Sequence, residues 1–219
     1  MARRRYDQFC ALAQALDVIG ERWTLLIVRE LLLGPKRFTD LQSGLPGIPT
    51  NLLIQRLRQL EDAGVLERGV LPPPAASAVY QLTEHGRGLE PAIVALVRWS
   101  VAAMQPPAPG QALRAEWLLL LMRATFRPDP ARGARATYEL RIDAEAFQLR
   151  VDGAALAIER GPATHPDLVL TTAAPDLVAL IMGGLTPEQA ITGGRLRLEG
   201  PRQALDGYLA LFRYPDSRR

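Results

Sequence analysis

The sequence predicts an α+β protein in two parts: an N-terminal domain of helices with one β-hairpin, and a C-terminal α/β domain in which helices and strands alternate. Three observations carry that expectation. Apolar residues recur at helical spacing through most of the first hundred positions; the period shortens to that of strands around residues 65–82; and the proline-rich stretch QPPAPGQ, 105–111, separates this half from one with five strand-like segments. Proline density at 105–111 opposes helix and sheet alike and stiffens a spacer. The expected domains are therefore 1–104 and 112–219, with 105–111 between them.

Residues 7–19 place Phe9, Leu12, Leu16 and Ile19 on one side of a helix that Gly20 ends. A second helix, ERWTLLIVRELLLG, is apolar almost all round, which implies burial, and Gly34-Pro35 stops it. A short third helix, RFTDLQSGL, has Thr39 as its expected cap. The turn Leu45-Pro46-Gly47 leads into GIPTNLLIQRLRQLEDAG, 47–64, whose Leu53, Leu57 and Leu60 set an inward side. Residues 65–70 and 78–82 predict the two strands of a hairpin around the tip PPPAASA, and Thr83 caps a helix over 84–104. Beyond the spacer come a helix over 112–126, strands at 137–143, 146–152, 154–160 and 167–172, helices at 175–182 and 187–191, a strand at 195–199 and a helix over 201–212.

A chain of 219 residues, 48% hydrophobic and 22% charged, can bury a sizeable core. Its net charge of +3 carries no basic tail, so any affinity for nucleic acid must come from local placement. Lys36 is the only lysine and Asn51 the only asparagine, a bias that fits a GC-rich genome as well as any functional demand. The single cysteine, Cys10, excludes an internal disulfide framework and suits a reducing compartment. Arg3, Arg4 and Arg5 are followed by no apolar signal core, and the apolar run 117–122 is too short to span a bilayer. The expectation is a soluble, cytoplasmic protein with no membrane partner.

Helix 47–64 has an unusual outer face. Asn51, Gln55, Arg58 and Gln59, with Arg56 on the flank, form a row of hydrogen-bond donors with no carboxylate before Glu61. On an isolated helix such a face is ordinarily only solvated. The three helices that end with 47–64, a hairpin and a further helix, however, are the order of a winged helix-turn-helix, in which the last helix before the hairpin enters the major groove of double-stranded DNA. Pro49, Thr50, Asn51 and Gln55 are then the candidate base readers, since Asn and Gln pair bidentately with adenine, and Arg56 and Arg58 lie near phosphates or guanine. Arg37, at the start of the short helix, and Arg68, at the base of the wing, are candidate phosphate anchors, and Thr39 and Gln59 complete the set.

Residues 10–99 resemble the HxlR-type winged helix-turn-helix transcriptional regulators. The match rests on Cys10, LDVIGERW at 16–23, the G-x-x-RF-x-x-L run from Gly34 to Leu41, Gly47-Ile48, L-x-x-RL-x-x-LE-x-x-G from Leu53 to Gly64, and YQLTEHG at 80–86. The resemblance implies a homodimer that pairs through the first and last helices of the domain and binds an inverted-repeat operator. It also offers a thiol sensor at Cys10, beside the alternative of a structural cysteine. Two positions depart from the family pattern: Ala11 stands where proline usually follows the cysteine, and Ala78 and Val79 precede Tyr80 where a charge is usual. The wing tip carries no basic side chain, which shifts binding onto the reading helix.

Residues 112–215 resemble a sterol-carrier-protein-like domain through the order of strand, helix, G-x-L-x-P-x-x-A element, glycine turn, strand and closing helix in 167–212. The resemblance implies an apolar tunnel for a hydrophobic small molecule, with Trp117, Leu121, Phe126, Phe147, Leu180, Met182 and Ile191 as candidate lining. A collapsed relative that strengthens dimerisation is the alternative. His85 and His165 fall in different domains, with no nucleophile set, metal-ligand spacing or phosphate loop beside them, so neither catalysis nor a cofactor or metal is expected. The rival reading is a lipid carrier whose winged domain serves only dimerisation.

Overall fold

The computed structural model describes residues 5–101, 103–105, 107–108, 110–128 and 133–212. Arg3 and Arg4, and Pro106 and Pro109 of the expected spacer, lie outside the described residues. Two compact units divide the chain, Met1–Ile93 and Val94–Arg219.

The first unit opens with α1 (Ala11–Ile19) and α2 (Thr24–Leu31). Its core is formed by Ile27, Val28 and Leu31 together with Leu41, Leu45, Leu53, Leu57, Leu60 and, from the hairpin, Leu66, Val79 and Leu82. In α1 only Ala13 is buried, and Phe9 and Leu12 project into solvent at 105% and 67% exposure. Helix α3 (Phe38–Gly44) begins at Arg37, whose backbone N–H donates to Asp40 Oδ2 at 3.2 Å. Thr39 is therefore already inside the helix and does not cap it; the Asp40 carboxylate occupies the third helical position, where an acidic side chain satisfies a free N–H. The turn after α3 delivers α4 (Thr50–Asp62), entered through Pro49 in extended conformation.

Strands β1 (Leu66–Val70) and β2 (Ala78–Leu82) pair antiparallel with Arg68 opposite Tyr80. Lys36 adds a further bridge to this hairpin: its backbone N–H donates to Tyr80 O at 3.0 Å and its carbonyl oxygen accepts from Tyr80 N at 2.8 Å. The Lys36 ammonium turns back to Glu30 Oε2 at 2.9 Å, and Arg29 donates to Glu30 Oε1 at 2.8 Å. Glu30 is 2% exposed, so its charge depends on those cations. Gly44 closes the pocket, since a Cβ there would stand 2.4 Å from Glu30 Oε2.

The single helix expected over 84–104 is two, α5 (Glu84–Arg87) and α6 (Glu90–Val101). Thr83 caps α5, its hydroxyl accepting from Gly86 N at 3.0 Å. Pro91 explains the break, because within a continuous helix its ring would meet the carbonyl of Arg87 four residues earlier; at the second position of a new helix it costs nothing. The second unit begins inside α6. The reason is local packing: Arg98 Nε donates to Ala124 O at 3.0 Å, and Val101 is buried.

In that unit α7 (Ala115–Thr125) precedes β3 (Arg135–Ile142), β4 (Glu145–Asp152), β5 (Ala155–Arg160) and β6 (Leu168–Thr172). Then come α8 (Ala174–Ile181), α9 (Pro187–Thr192), β7 (Leu196–Glu199) and α10 (Arg202–Leu211). The sheet runs β5-β4-β3-β6-β7, with only the central β3–β6 pair parallel. Alternation divides its faces. Leu140, paired with Phe147 on one side and Leu170 on the other, belongs to the apolar face that meets α7, α8 and α10. The opposite face carries a charged ladder in which Arg141 bonds both Glu139 at 2.6 Å and Glu199 at 3.0 Å.

Candidate nucleic-acid interface and apolar cavity

Burial along α4 separates its two sides. Leu53, Arg56, Leu57 and Leu60 are buried, while Pro49, Thr50, Asn51, Ile54, Gln55 and Arg58 face solvent. Arg58 makes no hydrogen bond or ion pair among the described residues, and its guanidinium is free to meet a phosphate or a guanine edge. Thr50 Oγ1 accepts from Gln42 Nε2 at 2.6 Å, which fastens the first turn of α4 to α3. Asn51 Oδ1 accepts from the neighbouring Leu52 N at 2.9 Å, leaving its amide nitrogen outward.

Arg56 corrects the expectation drawn from periodicity. It is 8% exposed and turned inward, donating to Glu21 Oε2 at 2.7 Å, to Gln59 Oε1 at 2.6 Å and to Arg22 O at 3.4 Å. Three of its five N–H groups thus hold α4 to the turn between α1 and α2 and to Gln59. Gln59 is half-buried and engaged in the same set. Helical spacing puts Arg56 on the flank, but it cannot show a carboxylate thirty-five positions earlier in the chain that folds over it.

The arginines around the hairpin are exposed but not idle. Arg37 Nε donates to Ser77 Oγ at 2.8 Å, tying the start of α3 to the wing tip. Arg68 pairs with Glu61 at 3.1 Å and lies over the Tyr80 ring at 5.7 Å. Thr39 is exposed. Cys10 is exposed at the N-cap position of α1.

In the second unit a cavity of about 50 Å³ lies between the sheet and its helices. Met122 of α7, Leu140 and Leu170 of the sheet, Leu177 and Leu180 of α8, and Tyr208 of α10 form most of its wall. Of the seven residues expected to line a tunnel, only Leu180 does so. Phe147 lies on the correct face but one strand further out, where it is fully buried. Phe126 packs against the outer ring of Phe212 at 5.8 Å, and Ile191 is 37% exposed. Trp117, Leu121 and Met182 likewise stand off the wall. Tyr208 stacks edge-on to Tyr138 at 5.3 Å, and burial, with the neighbouring Tyr138 adding to it, holds its phenol well above the ordinary value and therefore neutral. Drug-sized ligands occupy pockets of about 300 Å³ or more, so the cavity in this conformation is closed to a lipid. Among the described residues no group of His, Cys, Asp and Glu could hold a metal ion, and no helix is long and apolar enough to cross a membrane.

Comparison with known proteins assigns the chain to two families, with the change falling after α6. The model of the HxlR-like helix-turn-helix family matches residues 18–107, and that of the SCP-2 sterol transfer family matches residues 120–213. YvaP, a helix-turn-helix-type transcriptional regulator of Bacillus subtilis (strain 168), is 34% identical over 93 residues, 42% of this chain and 86% of that protein. YodB, a regulator of the same type and organism, is 35% identical over 92 residues, 42% of this chain and 82% of YodB. A further one from Mycobacterium bovis is 44% identical over 89 residues, 41% of this chain and 56% of that protein.

The two arginines of α4 should separate cleanly. Arg56→Ala is expected to destabilise the first unit by about 1–3 kcal/mol, through loss of charge-assisted bonds, whereas Arg58→Ala should stay within about 0.5 kcal/mol of wild type. Urea denaturation of both variants checks this; equal loss from the two would contradict the inward assignment of Arg56.

Proposed function

The chain belongs to the HxlR-like helix-turn-helix family, and on that premise we propose that α4 is the helix that reads its operator. As a member it is a DNA-binding transcriptional regulator, here joined to an SCP-2 segment. The observation that carries the proposal is the outward row Asn51, Gln55 and Arg58, with Arg58 unpaired, on a helix whose other side is locked into the core. Thr50 and Pro49 open the same turn, Arg37, Thr39 and Arg68 flank it as backbone contacts, and the wing tip contributes no cation. Base readout of this kind is worth about 1–3 kcal/mol per bidentate contact. A Gln55→Ala/Arg58→Ala variant should lose at least about tenfold in affinity for a selected duplex while keeping most of its weak, salt-sensitive binding to random DNA. Gel-shift titration at several salt concentrations measures it, and unchanged selective binding would remove α4 from the reading role.

The protein acts, in this proposal, as a homodimer on an inverted repeat, pairing through α1 and α6. Phe9 just before α1, Leu12 and Leu16 on α1, and Leu96 and Trp99 on α6, are large apolar side chains left in solvent, Trp99 at 80% exposure. Exposure of that extent is costly to a lone chain and is ordinarily relieved by a partner. Trp99→Asp should move the protein from dimer to monomer in sedimentation equilibrium; a variant that remains dimeric would place the interface elsewhere.

The second unit is proposed to answer a hydrophobic small molecule. Its small apolar cavity, opened by displacement of α8 and α10, is the seat, and a ligand shifts only those equilibria for which its affinities differ. A series of fatty acids from octanoate to palmitate should raise the melting temperature of the wild type and leave Leu180→Trp, whose indole fills the space, unaffected. Equal stabilisation of both would move the ligand away from this cavity.

A further inference from the structure

One side chain on the outward side of α4 is apolar and only partly covered. Ile54 is 38% exposed, yet it stands among Thr50, Asn51, Gln55 and Arg58. On a helix of 3.6 residues per turn, Thr50, Ile54 and Arg58 follow one another along one row, and Asn51 and Gln55 along the next. A solitary exposed aliphatic residue is common and by itself says nothing. Here its cost and its place say more. A β-branched residue gives up side-chain freedom in a helix, and Ile54, still 38% exposed, recovers only part of that through burial, whereas the neighbouring outward positions hold polar side chains.

We propose that Ile54 is a base-reading residue whose side chain packs against the 5-methyl group of a thymine in the major groove. The assignment rests on α4 being the reader. The methyl group is the one apolar feature that a base edge presents in that groove, and it marks an A·T pair by sign and by strand. Gln55 and Asn51 have the amide chemistry that reads adenine, so the polar row and the aliphatic row would recognise A·T pairs from both strands. Arg58, one turn further along the row of Ile54, reaches a guanine or a phosphate next to them. The operator half-site is accordingly one with A·T pairs at the centre of the α4 footprint.

The test uses duplexes enriched from a random-sequence library by the full-length protein, remade with deoxyuridine in place of each thymidine in turn, so that only the methyl group is removed. At one thymidine per half-site the wild type should lose about fourfold in affinity, the worth of one buried methyl group. Ile54→Ala should bind the thymidine and deoxyuridine duplexes alike, while Ile54→Val should keep part of the difference. Wild-type indifference to every deoxyuridine, or an undiminished penalty in Ile54→Ala, overturns the assignment. Arg58→Ala distinguishes the underlying failure: if it binds the enriched duplexes as tightly as the wild type, or if the library yields no enriched sequence at all, α4 is not the reader and the role of Ile54 falls with it.

Discussion

Removing the Glu30 carboxylate from water costs several kcal/mol unless cations meet it at close range, and Arg29 and Lys36 do so at 2.8 and 2.9 Å. The arrangement of the DNA-binding unit follows from that requirement. Glu30 sits near the end of α2; Gly44, at the end of α3, must lack a side chain to pack over it; and Lys36 carries the pair to the hairpin through its two backbone bonds to Tyr80. Two helices and the wing are thereby fixed about one charge. From α3 the constraint passes to α4 through the Gln42–Thr50 bond, and Arg56 closes the circuit by anchoring α4 to Glu21.

On the proposed reading, fixation and recognition fall to different arginines and different sides of one helix. Arg56 is buried and donates to three acceptors; Arg58, two residues on, has none among the described residues. A rigid reader loses little conformational entropy on binding, which favours selectivity between sites over mere attraction to phosphate. The second unit is built on another principle. Its sheet is covered by helices on one side and bears a charged ladder on the other, and its interior space is small enough that occupancy would require rearrangement.

Much of this was legible in the chain. Helical spacing of Leu53, Leu57 and Leu60, the strand period around 65–82 and the succession of elements after 135 all have their observed counterparts, because each depends on neighbours within a few positions. What escaped depends on residues far apart. Arg56 takes its role from Glu21, and the cavity wall depends on which strand lies beside which, so Phe147 carried the right chemistry on the wrong strand while Leu140 and Leu170 passed unnoticed. Pro91 was a local signal, overlooked within a long apolar run. Outward Leu12 and Leu16 obey the helical period; periodicity reveals a shared side but not whether the chain's own core lies against it.

Lys36 is the only lysine in the sequence, and its side chain is 12% exposed beside Glu30. Reagents that fix or label proteins through side-chain amines consequently have one target in the fold, engaged in the ion pair on which the DNA-binding unit is assembled. None stands on α4, where arginine, glutamine and asparagine face outward. Aldehyde fixation, which joins protein to DNA largely through lysine, would under-report the occupancy of this regulator on its sites, whereas photochemical or guanidine-directed coupling would register it.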